Sequence, residues 1–126
     1  MNVLIVALEP MAAAEISEAK VLVVAPALNS RLRRWLSDED EARGRAERLA
    51  KALVELLERS GVSAEGRVGD ADPLMAIADA LPTFPADEIV IAGRPNELPG
   101  LDELVSRMRR RFALPIRCAD SLSEAA

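Results

Sequence analysis

The chain has 126 residues, of which 50% are apolar, 29% are charged and 2% are aromatic, and its formal net charge is −5. This composition predicts one globular domain, residues 1–126, with an aliphatic core, and it excludes a disordered or low-complexity chain. The acidic balance argues against a general affinity for nucleic acid, so no nucleic-acid partner is expected.

The first ten residues, MNVLIVALEP, do not form a secretory signal, because they lack a basic flank and Glu9 ends the apolar run early. No other run approaches the length that spans a membrane, so no membrane association is expected. Cys118 is the single cysteine and cannot form an internal disulfide. These features predict a protein of the reducing cytoplasm.

Five short apolar stretches predict β-strands. In chain order they are residues 2–8, 20–25, 64–68, 88–92 and 115–118. The first, second and fourth are nearly continuous aliphatic runs, as in strands that are covered on both faces. The third and fifth alternate with charged residues, which indicates half-exposed strands at the edges of a sheet.

Three helices are predicted between these strands. Ser37 followed by Asp40 resembles a capping box, and the apolar residues behind it recur at helical intervals until Gly61, a typical residue after a helix end. A second helix is predicted for residues 73–81, because proline suits the first position of a helix. A third, residues 101–112, carries an apolar stripe.

Alternating strands and helices predict an α/β fold with a doubly wound, mainly parallel five-stranded sheet. The order 3-2-1-4-5 places the covered strands in the centre, and the connections change direction between strands one and four. Only residues 9–20 join the first two strands. The helix expected in this connection, which precedes the three helices above, is therefore shortened to two turns at most. We expect a partner subunit or another segment to cover the sheet face that it leaves bare.

The phrases VLVVAP, GDADPLMAIADAL and ADEIVIAGRP resemble the universal stress protein family, and the resemblance runs from Val3 to about Cys118. The stretch VLVVAPALNSRLRRWLSDEDEA is similar to small, diverged, stand-alone members. The resemblance implies a doubly wound sheet of order 3-2-1-4-5, a homodimer and, in one branch of the family, ATP bound where the connections change direction.

ATP-binding members carry Gly-x2-Gly-x9-Gly-Ser or Gly-Thr after strand four, where glycines let backbone N–H groups approach phosphates. This spacing places Gly93 on the first glycine, Asn96 on the second and Ser106-Arg107 on the final pair, so one position in four matches. Asn96 can keep the turn. Two prolines in IAGRPNELPG remove N–H donors from the same loop. We therefore predict a degenerate nucleotide site with no cofactor, in a non-catalytic domain that acts through dimerisation or protein partners.

The alternative is a protein that binds ATP, AMP or a related small molecule in the crevice at the topological switch point, between strands one and four. Its candidate ligand-binding residues are Glu9, Pro26, Ala27, Gly93, Arg94 and Asn96. Glu9 stands where the family's nucleotide binders have Asp, and it is equally well explained as the polar end of a strand. Arg94 suits a bidentate phosphate contact. It suits a surface salt bridge as well.

Other functional classes find less support. A phosphoacceptor receiver domain would use Asp70, but the acidic pair after strand one and the lysine after strand five that it needs are missing. The chain has no His, no Tyr and no Gly-x-Ser-x-Gly elbow, so no catalytic residue is assigned. Cys118 is better explained as a small apolar residue than as a nucleophile. Asp72 before Pro73 indicates a helix N-cap, so no metal site is assigned to Asp70 and Asp72.

The resemblance also implies where the dimer forms, because the family's dimers often pair through strand five. Pro115 removes one backbone donor from this strand, while Ile116 and Cys118 remain for cross-strand contacts. These three residues are the predicted dimer interface.

Overall fold

Eight helices and strands make up the computed structural model, which describes residues 1–9, 20–27, 39–93 and 100–118, with the backbone alone for residues 39 and 40. They are β1 (Asn2–Ala7), β2 (Lys20–Pro26), α1 (Glu39–Arg59), β3 (Ser63–Gly69), α2 (Pro73–Ala80), β4 (Glu88–Ala92), α3 (Leu101–Arg111) and β5 (Ile116–Cys118). These bounds lie close to the predicted ones. The predicted short first helix and the cap at Ser37 lie outside the described residues.

The strands form one five-stranded sheet in the order β3-β2-β1-β4-β5, and every neighbouring pair is parallel. In the register, Ile5 of β1 lies between Val23 of β2 and Val90 of β4. The predicted doubly wound α/β fold, its strand order and the edge positions of β3 and β5 are confirmed. The connections change direction between β1 and β4, the position beside which open α/β sheets bind ligands beyond the carboxyl ends of their strands.

Two apolar cores lie on opposite faces of the sheet, since successive side chains of a strand alternate between faces. On the first, called the α1 face, α1 packs on the sheet through Ala46, Ala50, Leu53 and Leu57. On the second, called the α2/α3 face, the side chains of Leu74, Ile77, Leu101, Val105 and Met108 pack on the sheet. The aliphatic composition of the three central strands therefore follows from burial on both sides.

The end of α1 is a Schellman motif. The N–H of Val62 donates to the carbonyl of Leu57 and the N–H of Gly61 to that of Glu58, both at 3.0 Å. Gly61 has φ 85°, a left-handed conformation that glycine adopts without steric cost. Gly61 is thus the predicted residue after the helix end, and the motif turns the chain directly into β3.

The α1 face of β4 is covered within the single chain. Val90 and Ala92 on this face have no exposed surface. The side chains of Glu88 on β4 and Arg117 on β5 form an ion pair on the same face, with 3.0 Å between Oε2 and Nε. No partner subunit is therefore required to bury these two β4 residues. No helix within the described residues has the length and apolar character that crossing a membrane requires.

Candidate functional site

Backbone hydrogen bonds join the carboxyl ends of β1 and β4. The N–H groups of Leu8 and Glu9 both donate to the carbonyl oxygen of Ala92, at 3.0 and 2.8 Å. Glu9 is half-buried at this point, and Gly93 is buried. Two of the predicted ligand-binding residues, Glu9 and Gly93, are therefore held at adjacent strand ends beside the point where the connections change direction.

Two more of the predicted ligand-binding residues lie at the carboxyl end of β2. Pro26 and Ala27 are both buried, and the N–H of Ala27 donates to the carbonyl of Gly69 at the end of β3, at 3.2 Å. This hydrogen bond continues the pairing of β2 with β3 by one residue beyond the end of β2. The remaining two predicted residues, Arg94 and Asn96, lie outside the described residues.

A cleft of about 300 Å³ opens between the carboxyl ends of β1 and β2 and the first half of α1. We call it the α1 cleft. It is lined by Ala7, Leu8, Pro26, Ala42, Arg45, Ala46, Arg48 and Leu49. Its size is at the lower end of the range for small-molecule pockets, and like those pockets it combines apolar walls with a few polar groups.

Two arginines of α1 line this cleft, and no pattern in the sequence predicts a role for them. Arg45 is half-buried, and its Nη1 lies 3.4 Å from Oε1 of Glu41, one turn earlier in the helix. Arg48 is exposed, and no hydrogen bond or ion pair is found for it within the described residues. The sequence did show the apolar stripe of Ala42, Ala46 and Leu49. It did not indicate that these residues line a cleft.

The start of α3 follows the stretch of sequence, residues 93–99, in which the family's nucleotide binders have their first two glycines. Gly100 is the N-cap of α3, with φ 82° and no side-chain hydrogen bond. The first turn of the helix carries Asp102 and Glu103, both exposed. Carboxylates in this position complement the positive end of the helix dipole, and they also repel a phosphate that would otherwise bind there.

Ser106 and Arg107, which the family spacing places on the final Gly-Ser pair, lie in the interior of α3. A residue in the sixth position of a helix uses its backbone N–H inside the helix, so that group is not available to a phosphate. The prediction that Ser106 belongs to the third helix and not to a loop is confirmed.

The side chains of the two acidic residues after β3 accept hydrogen bonds from nearby backbone N–H groups. Oδ1 of Asp72 accepts a hydrogen bond from the N–H of Leu74 at 3.0 Å, which confirms the predicted N-cap of α2. Oδ1 of Asp70 accepts from the N–H of Asp72 at 2.9 Å. Among the described residues, no cluster of three or more potential metal ligands was found.

The predicted interface residues on β5 face different environments. Pro115 is exposed, whereas Ile116 is 8% exposed and, with Cys118, packs against the core of the α2/α3 face. The strand is also tied to α3, because Nη2 of Arg109 donates to the carbonyl of Ile116 at 3.1 Å. The dimer through β5 stays a prediction. Since Ile116 belongs to the core of its own subunit, a charged replacement there would disturb folding as well as association.

Comparison with known proteins identifies the fold. No protein-family model matches the sequence, and no curated protein matches it. Among solved structures, a universal stress protein family protein from Arabidopsis thaliana with AMP bound superposes with a TM-score of 0.61 and 14% identity, over 94% of this chain and 90% of that one. The hypothetical protein MJ0577, whose biochemical function was assigned from its structure, superposes with a TM-score of 0.61 and 12% identity, over 94% of each chain.

These similarities define the class of fold. The chain has the five-stranded parallel α/β fold of universal stress proteins, as the resemblance in the sequence implied. Identities of 14% and 12% establish the fold and leave the ligand open.

Proposed function

We propose that this chain is a non-catalytic domain of universal stress protein type whose nucleotide site is degenerate, and that it acts in a cytoplasmic stress response through self-association or protein partners. The observation that carries this proposal is the position of Ser106 and Arg107 inside α3. A phosphate loop needs free backbone N–H groups after β4, and the helix uses the N–H groups of both residues.

Two further features support a lost phosphate site. Asp102 and Glu103 place negative charge at the start of α3, where a phosphate would need the positive end of the helix dipole. In the sequence before this helix, Pro95 and Pro99 have no N–H groups to donate. A triphosphate would therefore meet repulsion and missing donors at the place where a functional relative offers glycines.

Thermal denaturation with and without nucleotide tests the proposal. We expect the same Tm in buffer and in millimolar ATP, AMP or adenosine. A ligand at about a hundred times its dissociation constant would add about 2.7 kcal/mol to the free energy of unfolding. An increase of that size with ATP or AMP, absent with inorganic phosphate, would contradict the proposal.

A second candidate function is the binding of an adenine nucleotide or a related small anion in the α1 cleft. The cleft itself favours it, because about 300 Å³ of partly apolar space lies beside Pro26 with the arginines of α1 at its rim. The structural neighbour with AMP bound is consistent with such a ligand. In this alternative Glu9, Ala27 and Gly93 would contact the ligand from the strand ends, and Arg94 and Asn96 are further candidate contacts from the sequence.

Charge reversal on α1 distinguishes this second candidate from unspecific stabilisation. Arg48→Glu would remove a positive charge from the cleft, whereas Lys51→Glu makes the same change on an exposed residue of α1 that does not line it. If AMP raises the Tm of the wild-type protein and of Lys51→Glu but not that of Arg48→Glu, the α1 cleft binds the nucleotide. Equal shifts in all three proteins would place the ligand elsewhere.

A further inference from the structure

The strand at the β3 edge of the sheet is long and open. We use the term β3 edge for the side of Ser63–Gly69 that faces away from β2. The strand has seven residues, compared with three in β5 at the opposite edge. Ser63, Glu65, Gly66 and Arg67 are exposed in the full chain. An open strand of this length presents a row of unpaired backbone groups that can pair with another strand.

The alternation of the strand shows which backbone groups point outward. The carbonyl of Gly69 accepts a hydrogen bond from Ala27, so the backbone groups of Gly69 point toward β2. The N–H and C=O of one residue point to the same side, and the side changes at each residue. The outward groups are therefore those of Ala64, Gly66 and Val68.

The side chains of Glu65 and Arg67 lie on one face of the sheet. Nη1 of Arg67 donates to Oγ1 of Thr83, the third residue after α2, at 2.9 Å. A Cβ added to Gly69 would meet Ala76 of α2, so position 69 faces the α2/α3 side. Glu65 and Arg67 face the same side, because every second residue of a strand does. Glu65 and Arg67 thus carry opposite charges, one residue before and one residue after Gly66, on the same face.

We propose that the chain forms a two-fold dimer in which the β3 edges of two copies, in place of the β5 strands that the family resemblance implies, pair as antiparallel strands with Gly66 opposite the partner's Gly66. In this register Ala64 pairs with the partner's Val68, and the outward groups of the two strands exchange about six N–H···O bonds. The ten-stranded sheet that results keeps α1 of both copies on one face, because the two-fold axis is perpendicular to the sheet.

The charges select this register. Glu65 lies opposite the partner's Arg67 in a non-hydrogen-bonded pair, in which the side chains are close, and the two-fold axis forms the contact twice. Arg67 keeps its bond to Thr83 and has further N–H groups for a carboxylate. Moving the axis by one residue would place Glu65 opposite the partner's Glu65, or Arg67 opposite the partner's Arg67. Both neighbouring registers therefore bring like charges together.

This inference rests on the proposed function, in which the domain acts by association, and it specifies a second copy of the chain as the partner. A strand edge alone buries less than the roughly 800 Å² per partner of a standard interface. We therefore expect dissociation in the micromolar range, where sedimentation velocity between 1 and 200 μM total protein resolves monomer and dimer.

Single charge reversals test the pairing. In a Glu65→Arg dimer, each introduced arginine would lie opposite the partner's Arg67. In an Arg67→Glu dimer, each introduced glutamate would lie opposite the partner's Glu65. Each variant should dissociate at least tenfold more readily than the wild-type protein, while the double variant Glu65→Arg/Arg67→Glu regains the wild-type affinity. Arg110→Glu, an exposed arginine on α3, is the matched control and should leave the dimer unchanged. Equal far-ultraviolet circular dichroism spectra would show that all variants are folded.

Mixing the two single variants is the sharpest form of this test. The Glu65→Arg protein has only cations at the contact and the Arg67→Glu protein has only carboxylates. The mixture should therefore form heterodimers at concentrations at which each variant alone is mostly dissociated. A wild-type protein that stays monomeric, or single variants that dimerise like the wild type, would overturn the inference. Nucleotide in the purified protein would contradict the degenerate site instead, so the two failures are distinguishable.

Discussion

Gly69→Ala gives the most direct test of how α2 is packed onto the sheet. A Cβ at position 69 would lie 2.7 Å from Cβ of Ala76 and 2.9 Å from Cγ1 of Val24. Carbon atoms in favourable contact are about 3.5–4.0 Å apart, so α2 or β3 must move by about 1 Å. Overpacking of this kind costs about 1–3 kcal/mol. We expect a loss of that size, and a Tm lower by about 4–12 °C for a chain of intermediate length.

Urea denaturation of Gly69→Ala and of a matched variant measures this loss. Gly66→Ala, on the same strand, would place its Cβ 3.1 Å from Cγ2 of Val54, the end of a side chain that can move, so it should lose less than about 1 kcal/mol. Ala76→Gly removes the atom that Gly69→Ala meets. The double variant should therefore be more stable than the sum of the two single losses predicts. A Gly69→Ala protein as stable as the wild type would refute the close packing of α2 against β3.

Three other replacements probe single features of the fold by chemical denaturation. Gly44→Ala should stabilise the protein by about 0.5–1 kcal/mol, because glycine is unfavourable inside a helix and the nearest atom to the added Cβ is the end of Arg48, 3.4 Å away. Destabilisation would show that α1 does not extend through this residue. Asp72→Ala should cost about 1 kcal/mol, since it removes the acceptor of the Leu74 N–H at the start of α2; an unchanged stability would argue against the cap. Glu88→Gln should cost about 1 kcal/mol by weakening the 3.0 Å contact with Arg117, and a gain in stability would show that the charge is not paired.

Much of the fold follows from the sequence because its strands differ in kind. Central strands are almost entirely aliphatic, as in VLVVA of residues 21–25, whereas the third strand carries Glu65 and Arg67. Two covered faces need apolar residues at every position, and an edge strand does not. That contrast predicts the strand order, and Asp72 and Gly61 mark the start of α2 and the end of α1 by their known preferences at those positions.

The site is less accessible to sequence reasoning. Glu9, Pro26, Ala27 and Gly93 could be placed at the carboxyl ends of β1, β2 and β4, because parallel strands end at one edge of the sheet. The α1 cleft could not, since it depends on how far the start of α1 stands away from β1 and β2. Helical spacing shows which side of α1 is apolar and says nothing of that distance. The two arginines at the rim were therefore missed.

The β3 edge shows the same limit. The alternation around Gly66 predicts a half-exposed strand, and the exposure of β3 confirms it. Glu65 and Arg67 predict a pairing register only when it is known which backbone groups of β3 point away from β2. The hydrogen bond from the N–H of Ala27 to the carbonyl of Gly69 shows which groups these are. A pattern of two charges becomes informative once the direction of the strand's free edge is fixed.

The central claim, that the nucleotide site is degenerate, is tested most directly by what the protein carries when it is purified. The protein would be isolated without added nucleotide and denatured, and the released small molecules would be identified and quantified by mass spectrometry. We predict less than a tenth of a molecule of any adenine nucleotide per chain. ATP or AMP close to one molecule per chain would contradict the claim and favour the second candidate function, the binding of an adenine nucleotide.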